Sequence, residues 1–169
     1  PLDYPADTPL EIGEVCRRAM APKPADRYPD VRALRVAVEA FLSHEAAREI
    51  TRKGEKAAVR LDELITSIDN TKPADPDTHE KLHKAYTEAR FAFEMALESW
   101  PENDEAKNGL WAVLRSMLMH AIDTEDLTLA TRLAVEVNDA DLRAKLDALR
   151  ARIAAREKEF SSLREHAEL

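Results

Sequence analysis

The chain has 169 residues, a net charge of −8, 34% charged and 5% aromatic residues, and only three glycines, Gly13, Gly54 and Gly109. So few turn and strand formers predict an all-α fold, and acidic charge spread along the whole chain argues against a phosphate-tracking surface and hence against nucleic acid as partner. One cysteine, Cys16, excludes an internal disulfide and fits a reducing, cytoplasmic setting, while no apolar run approaches the roughly 18 residues of a membrane span, so no membrane contact is expected in this segment.

Six of the nine prolines lie in the first 29 residues, the others being Pro73, Pro76 and Pro101, and these clusters punctuate the helices. The first residue is Pro1 rather than Met, which sets the expectation of a piece of a longer chain. Thr8 and Pro9 read as a cap and first-position pair for a helix to about Met20, stopped by Pro22 and Pro24. A second helix opens at Pro29-Asp30, with Val31, Leu34, Val38 and Phe41 at helical spacing. Ile50, Gly54, Ala57, Leu61, Leu64 and Ile68 continue at steps of four and three, so either one very long helix or two with a bend near Ser43–Glu45 is expected. The loop Asp69–Asp77, DNTKPADPD, ends it.

The next helix runs from Thr78 to about Trp100, with Leu82, Tyr86, Ala89, Phe93, Ala96 and Leu97 on one face. Pro101 stops it, and Asn103 or Asp104 caps a helix to about Ile122. The turn DTED leads to a short helix from Asp126 to about Val137. The last helix, Asp139 to about Glu165, sets Leu142, Leu146, Leu149, Ile153, Arg156, Phe160 and Leu163 at heptad steps. That seam either caps a helical stack or zips to another chain, with Arg156 as its weak point.

Within Asp77–Tyr86, residues His79, Glu80 and His83 spell H-E-x-x-H, the helical spacing of a zinc hydrolase. Lys81 and Lys84 put ammonium groups beside any bound cation. Glu102 follows His83 after eighteen residues but belongs to the far end of the same helix, about 28 Å along its axis. The motif reads as chance, with no metal or catalytic residue assigned, a zinc hydrolase as the remote alternative, and adventitious metal at the His79/His83 pair left open. Cys16 reads as a small packing residue, and Met117, Met119 and His120 as core.

Residues 14–42, EVCRRAMAPKPADRYPDVRALRVAVEAFL, resemble the end of the C-terminal lobe of bacterial Ser/Thr protein kinases: a helix ending in RAM, then P-A-D-R-Y, then an amphipathic helix closing in FL. The string departs from the usual wording at Pro22-Lys23, where the family more often has Lys-Asp. The resemblance implies that Arg27 is the lobe's buried arginine, which in the family pairs with the glutamate of the A-P-E segment. Gly-rich loop, V-A-I-K, H-R-D, D-F-G and A-P-E are all absent from this sequence. The implied reading is therefore a non-catalytic fragment, with residues 1–45 as the last two helices of the lobe, and ATP and Mg as requirements of the parent kinase. Without its acid, Arg27 must find another partner or stay in water, and residues 1–42 are expected to be loosely packed or redocked on the downstream helices.

Ala89, Phe93, Ala96 and Pro101 match the A-x3-F-x2-A-x4-P spacing of the second helix of a tetratricopeptide repeat, where small residues let helices approach and the proline turns the chain. A degenerate copy follows with Ala121, Glu125-Asp126, Ala130, Ala134 and Val137, 41 residues on from Ala89 to Ala130 rather than about 34, and Trp111 is not at the family's tryptophan position. The resemblance implies that residues 46–169 form an irregular antiparallel stack of long helices, regulatory or docking in role. Its protein partners would be the kinase's own lobes, another protomer or a signalling protein, with Arg115 and Met119 as candidate partner contacts. The alternative is a helical spacer or coiled-coil dimeriser.

Overall fold

In the computed structural model, which describes residues 4, 5, 7–68 and 75–167, α1 spans Leu10–Ala19, and a single 3-10 turn at Pro24–Asp26 follows it. Thr8 does not cap α1. The N-cap is Pro9, with no side-chain hydrogen bond, and Thr8 lies one residue before it, its N–H donating to the Pro5 carbonyl at 2.9 Å. Asp30 does cap the next helix: its carboxylate accepts from the Ala33 N–H at 2.8 Å. From there α2, Val31–Ser67, runs 37 residues with no break at Ser43–Glu45, the one-helix form of the sequence expectation.

Helix α3, Pro76–Ser99, starts two residues ahead of Thr78, because Pro76 has the fixed φ suited to the first helical turn. Thr78 donates its hydroxyl to Asp75 at 3.1 Å instead of capping. Of the proline-rich loop, residues 69–74 lie outside the described residues. Asn103 caps α4, Asp104–Asp123, and Asp126 caps α5, Leu127–Glu136, each accepting from the N–H three residues on. Helix α6 covers Ala140–Ala167. No strand occurs among the described residues, so the fold is all-α.

Cross-helix contacts set the directions. Ser43 reaches the Ser99 carbonyl at 3.2 Å, and Arg60 pairs with Glu88, so α2 and α3 are antiparallel. The pairs Arg115–Asp139, Met119–Lys145 and Glu125–Arg152 climb together, which makes α4 and α6 parallel. Alternate helices thus point the same way, as hairpins stacked side by side. The seam Gly54, Ala57 and Leu61 is buried against α3 within the chain.

The centre is an aromatic ring held between two glycines. Phe93 is fully buried on α3; a Cβ on Gly54 of α2 would lie 2.9 Å from the ring, and one on Gly109 of α4 would overlap its Cε1 and Cζ. Ala89 and Ala96, a turn to either side, are also fully buried and keep the neighbouring backbones close. Beneath them Asn103 does a second task. While its Oδ1 caps α4, its Nδ2 donates to Thr51 Oγ1 at 3.0 Å, and Thr51 in turn donates to the Ala47 carbonyl, so both buried polar groups are satisfied.

The last seam is only half used. Leu142, Leu146 and Leu149 are buried, Ile153 partly so, but Phe160 and Leu163 are 64% and 61% exposed. Arg156 leaves the seam to pair with Glu125 at 3.0 Å, beside Arg152 at 2.8 Å. The seam therefore caps the stack over 142–149 only, because α4 and α5 end before the rest of α6 does.

Gly109→Ala is expected to destabilise the fold by about 1–3 kcal/mol through overpacking, although alanine gains about 1 kcal/mol in helix propensity. In urea denaturation the loss should shrink when Phe93→Leu is present in the same chain. A Gly109→Ala protein more stable than its parent would show that the ring does not occupy that space.

Candidate protein-docking surfaces

Residues 10–42 fold into an arm. Helix α1 lies on α2, burying little besides Gly13 and Val15, while Leu10, Met20, Val31, Val36 and Leu42 are half-exposed or more. Arg27 is exposed and ties its own turn, donating Nε to the Ala21 carbonyl at 2.7 Å and Nη2 to the Pro22 carbonyl at 3.5 Å. It thus makes no carboxylate pair among the described residues and stays in water, one of the two outcomes expected for it. Arg27 and Tyr28 border a shallow groove of about 240 Å³ with Ala19, Val31 and Leu34. The Tyr4 hydroxyl is buried without a hydrogen-bond partner among the described residues.

A polar junction ties arm to stack. Glu11 of α1 accepts from His44 Nδ1 at 2.7 Å and from Arg48 Nη2 at 3.0 Å, and Arg48 also pairs with Glu45. The His44 ring stacks on Trp100 with centroids 4.3 Å apart, and the Arg48 guanidinium lies 5.0 Å from the same indole. Trp100 is brought there by the turn at Pro101, which is exposed and ends α3. So α1 does meet residues downstream of 42 at this junction, through His44 and Arg48. Nothing in the spacing of Glu11, His44 and Trp100 announces it, since the three are 33 and 56 residues apart; the one local signal was a tryptophan directly before a helix-ending proline.

On α4, Trp111, Arg115 and Met119 follow at four-residue steps and share a face. Trp111 is half-exposed, and the Arg115 guanidinium lies 5.7 Å from its ring. Arg115 is engaged within the chain: its Nε donates to Asp139 Oδ2 at 3.2 Å. Asp139 also caps α6, and the Leu142 N–H first, then Arg115 and the Asp141 N–H, hold its carboxyl below the ordinary carboxylate range. Met119 is partly buried, with Lys145 Nζ 3.7 Å from its sulfur. The most exposed large apolar residue on this face is thus Trp111, half in solvent.

HEKLH sits in the first two turns of α3, with His79 exposed, His83 half-buried and Lys81 paired to Asp77. Glu102 lies in the turn beyond the other end of α3, and no group of three His, Cys, Asp or Glu side chains among the described residues could hold a metal ion. Cys16 is partly buried on α1, Met117 and His120 are core, and no described helix is long and apolar enough to cross a membrane. No family model, curated protein or solved structure matches the chain.

Removing the junction's acid by Glu11→Ala should release α1. The cost is about 0.5–1 kcal/mol, since the groups are partly exposed. Amide exchange should show α1 losing protection while α3 and α4 keep theirs; unchanged protection in α1 would show that its apolar contacts suffice.

Proposed function

We propose that the chain is a non-catalytic regulatory or protein-docking region of a bacterial Ser/Thr protein kinase, whose parent transfers the γ-phosphate of ATP, with Mg, to protein hydroxyls. The observation that carries this is the unfinished arm. The string that resembles the end of a kinase lobe forms two helices whose apolar side chains Leu10, Met20, Val31, Val36 and Leu42 face outward, more than an ordinary surface leaves scattered over one small element. An upstream lobe would cover such a face, and Arg27 sits at its edge, free to take an acid in place of two carbonyl oxygens. The stacked hairpins, with buried Ala89, Phe93 and Ala96 and the turn at Pro101, support a repeat-like docking body. On this reading the setting is cytoplasmic and the partners are proteins.

A second reading is favoured by one feature, the outer half of α6. Phe160 and Leu163 continue the heptad seam past the body. Because α4 and α5 already cover that face at 142–149, a second α6 would fit only antiparallel, overlapping from Ile153 onward. Light scattering on the parent and on Leu163→Asp separates the readings: a dimer abolished by the aspartate favours the dimeriser, and a monomer in both removes it.

The decisive experiment on the first reading extends the chain upstream to a complete kinase domain, with and without residues 46–169, and measures autophosphorylation in Mg-ATP. Incorporation that changes when the tail is removed is the expected result. Incorporation in neither form would end the kinase reading.

A further inference from the structure

Three of the five histidines gather at one end of the stack. His79 and His83 meet edge to face on α3 with ring centroids 4.5 Å apart. His120, in the last turn of α4, is buried, and both α3 histidines act on it electrostatically. The charged groups that face them are Asp123 at the end of α4, Asp126 at the cap of α5, and Arg132 on α5. Three imidazoles from two helices, with a guanidinium on a third, make a site where burial and positive neighbours oppose an added proton and Asp123 and Asp126 favour it.

We propose that this cluster is an acid-sensitive latch: as pH falls below about 6.5 and His83 and His120 take up protons, the start of α5 loosens from α4, while the Gly54–Phe93–Gly109 centre stays closed.

The direction follows from the surroundings. Burial first, then repulsion from His79, lowers the pKa of both His83 and His120 from 6.5; Arg132 adds to the effect at His83, and Asp123 and Asp126 oppose it without reversing it. An opened form returns the rings to water and binds protons more readily. The closed form therefore has its full stability above about pH 6.5 and loses it as pH falls toward the lowered values.

Helix α5 is the element that yields because it is only ten residues long, and its side-chain tie to α6, Arg150 to Thr131 at 3.1 Å, lies at its middle and not at the Asp126 end. Leu129, Ala130 and Leu133 are its buried side chains, and the Arg90–Glu136 pair, at 2.8 Å, fastens its far end to α3. Opening from the Asp126 end would bare apolar surface around Leu129 and Ile122.

The test is amide exchange at about pH 7.5 and about pH 5.5, corrected for intrinsic rates, on the full chain and on His83→Gln/His120→Gln. We expect residues 127–136 of the parent to lose protection about tenfold or more at the lower pH, the helices around Phe93 to keep theirs, and the double variant to show little change. Equal loss in parent and variant, loss spread over all helices, or no loss in the parent overturns the proposal. Should the double variant fail to fold, Arg132→Gln decides: it removes a fixed positive charge and should move the opening midpoint to lower pH, and an unmoved midpoint overturns the latch.

Discussion

The ring of Phe93 needs two glycines, and the rest of the stack is arranged to supply them. A residue with a Cβ at position 54 or 109 would hold α2 or α4 off the aromatic face, so three helices meet at a distance only these residues permit. The chain has one other glycine, Gly13, and it lies outside this contact. Glycine in mid-helix is unfavourable for the isolated helix, so its placement here means the packing gain exceeds that loss. The fully buried Ala89 and Ala96 extend the same close approach up and down α3.

Around that contact the polar groups act as locators. Asn103 fixes where α4 begins and, through Thr51, how it is set against α2, so one buried amide determines both a helix start and a helix position. Glu125 acts similarly for α6. It is the one non-glycine residue with positive φ among those described, at 58°, and from that turn its carboxylate meets both Arg152 and Arg156. The left-handed backbone costs a glutamate more than it would a glycine, but glycine could not make those pairs.

Much of this fold was legible because it is local. The helix starts near Asp30 and Asp126, and a cap at Asn103 or Asp104, could be read from their place ahead of apolar periodicity, while the 50–68 seam allowed one long helix or two with a bend, and the structure takes the first. Thr8 and Thr78 misled because prolines beside them, not hydroxyls, set the helix starts. The α6 heptad was real as a pattern, yet periodicity does not say where a neighbouring helix ends, so its outer half lies bare. What escaped the sequence altogether was pairing across distance: Glu11 with His44, His44 with Trp100, or His120 with the histidines of α3. Those depend on how hairpins stack, and no spacing encodes that. The HEKLH string shows the converse, since its spacing was correct for a metal and its surroundings were not.

The unbroken course of α2 sets the angular relation between the two parts of the molecule. At 1.5 Å per residue its 37 residues span about 55 Å. Its first turns carry the face of the arm, and its last turns carry the seam that meets Phe93 and Leu82. Between them no loop absorbs rotation, so the two faces are in a fixed phase. Adding or deleting one residue anywhere between Leu42 and Ala47 would turn the arm about 100° around the helix axis relative to the stack, and a change of about seven or eleven residues would nearly restore the alignment. The length of α2 therefore encodes a direction as well as a distance: an integer number of residues sets which way the stack points relative to the face of the arm.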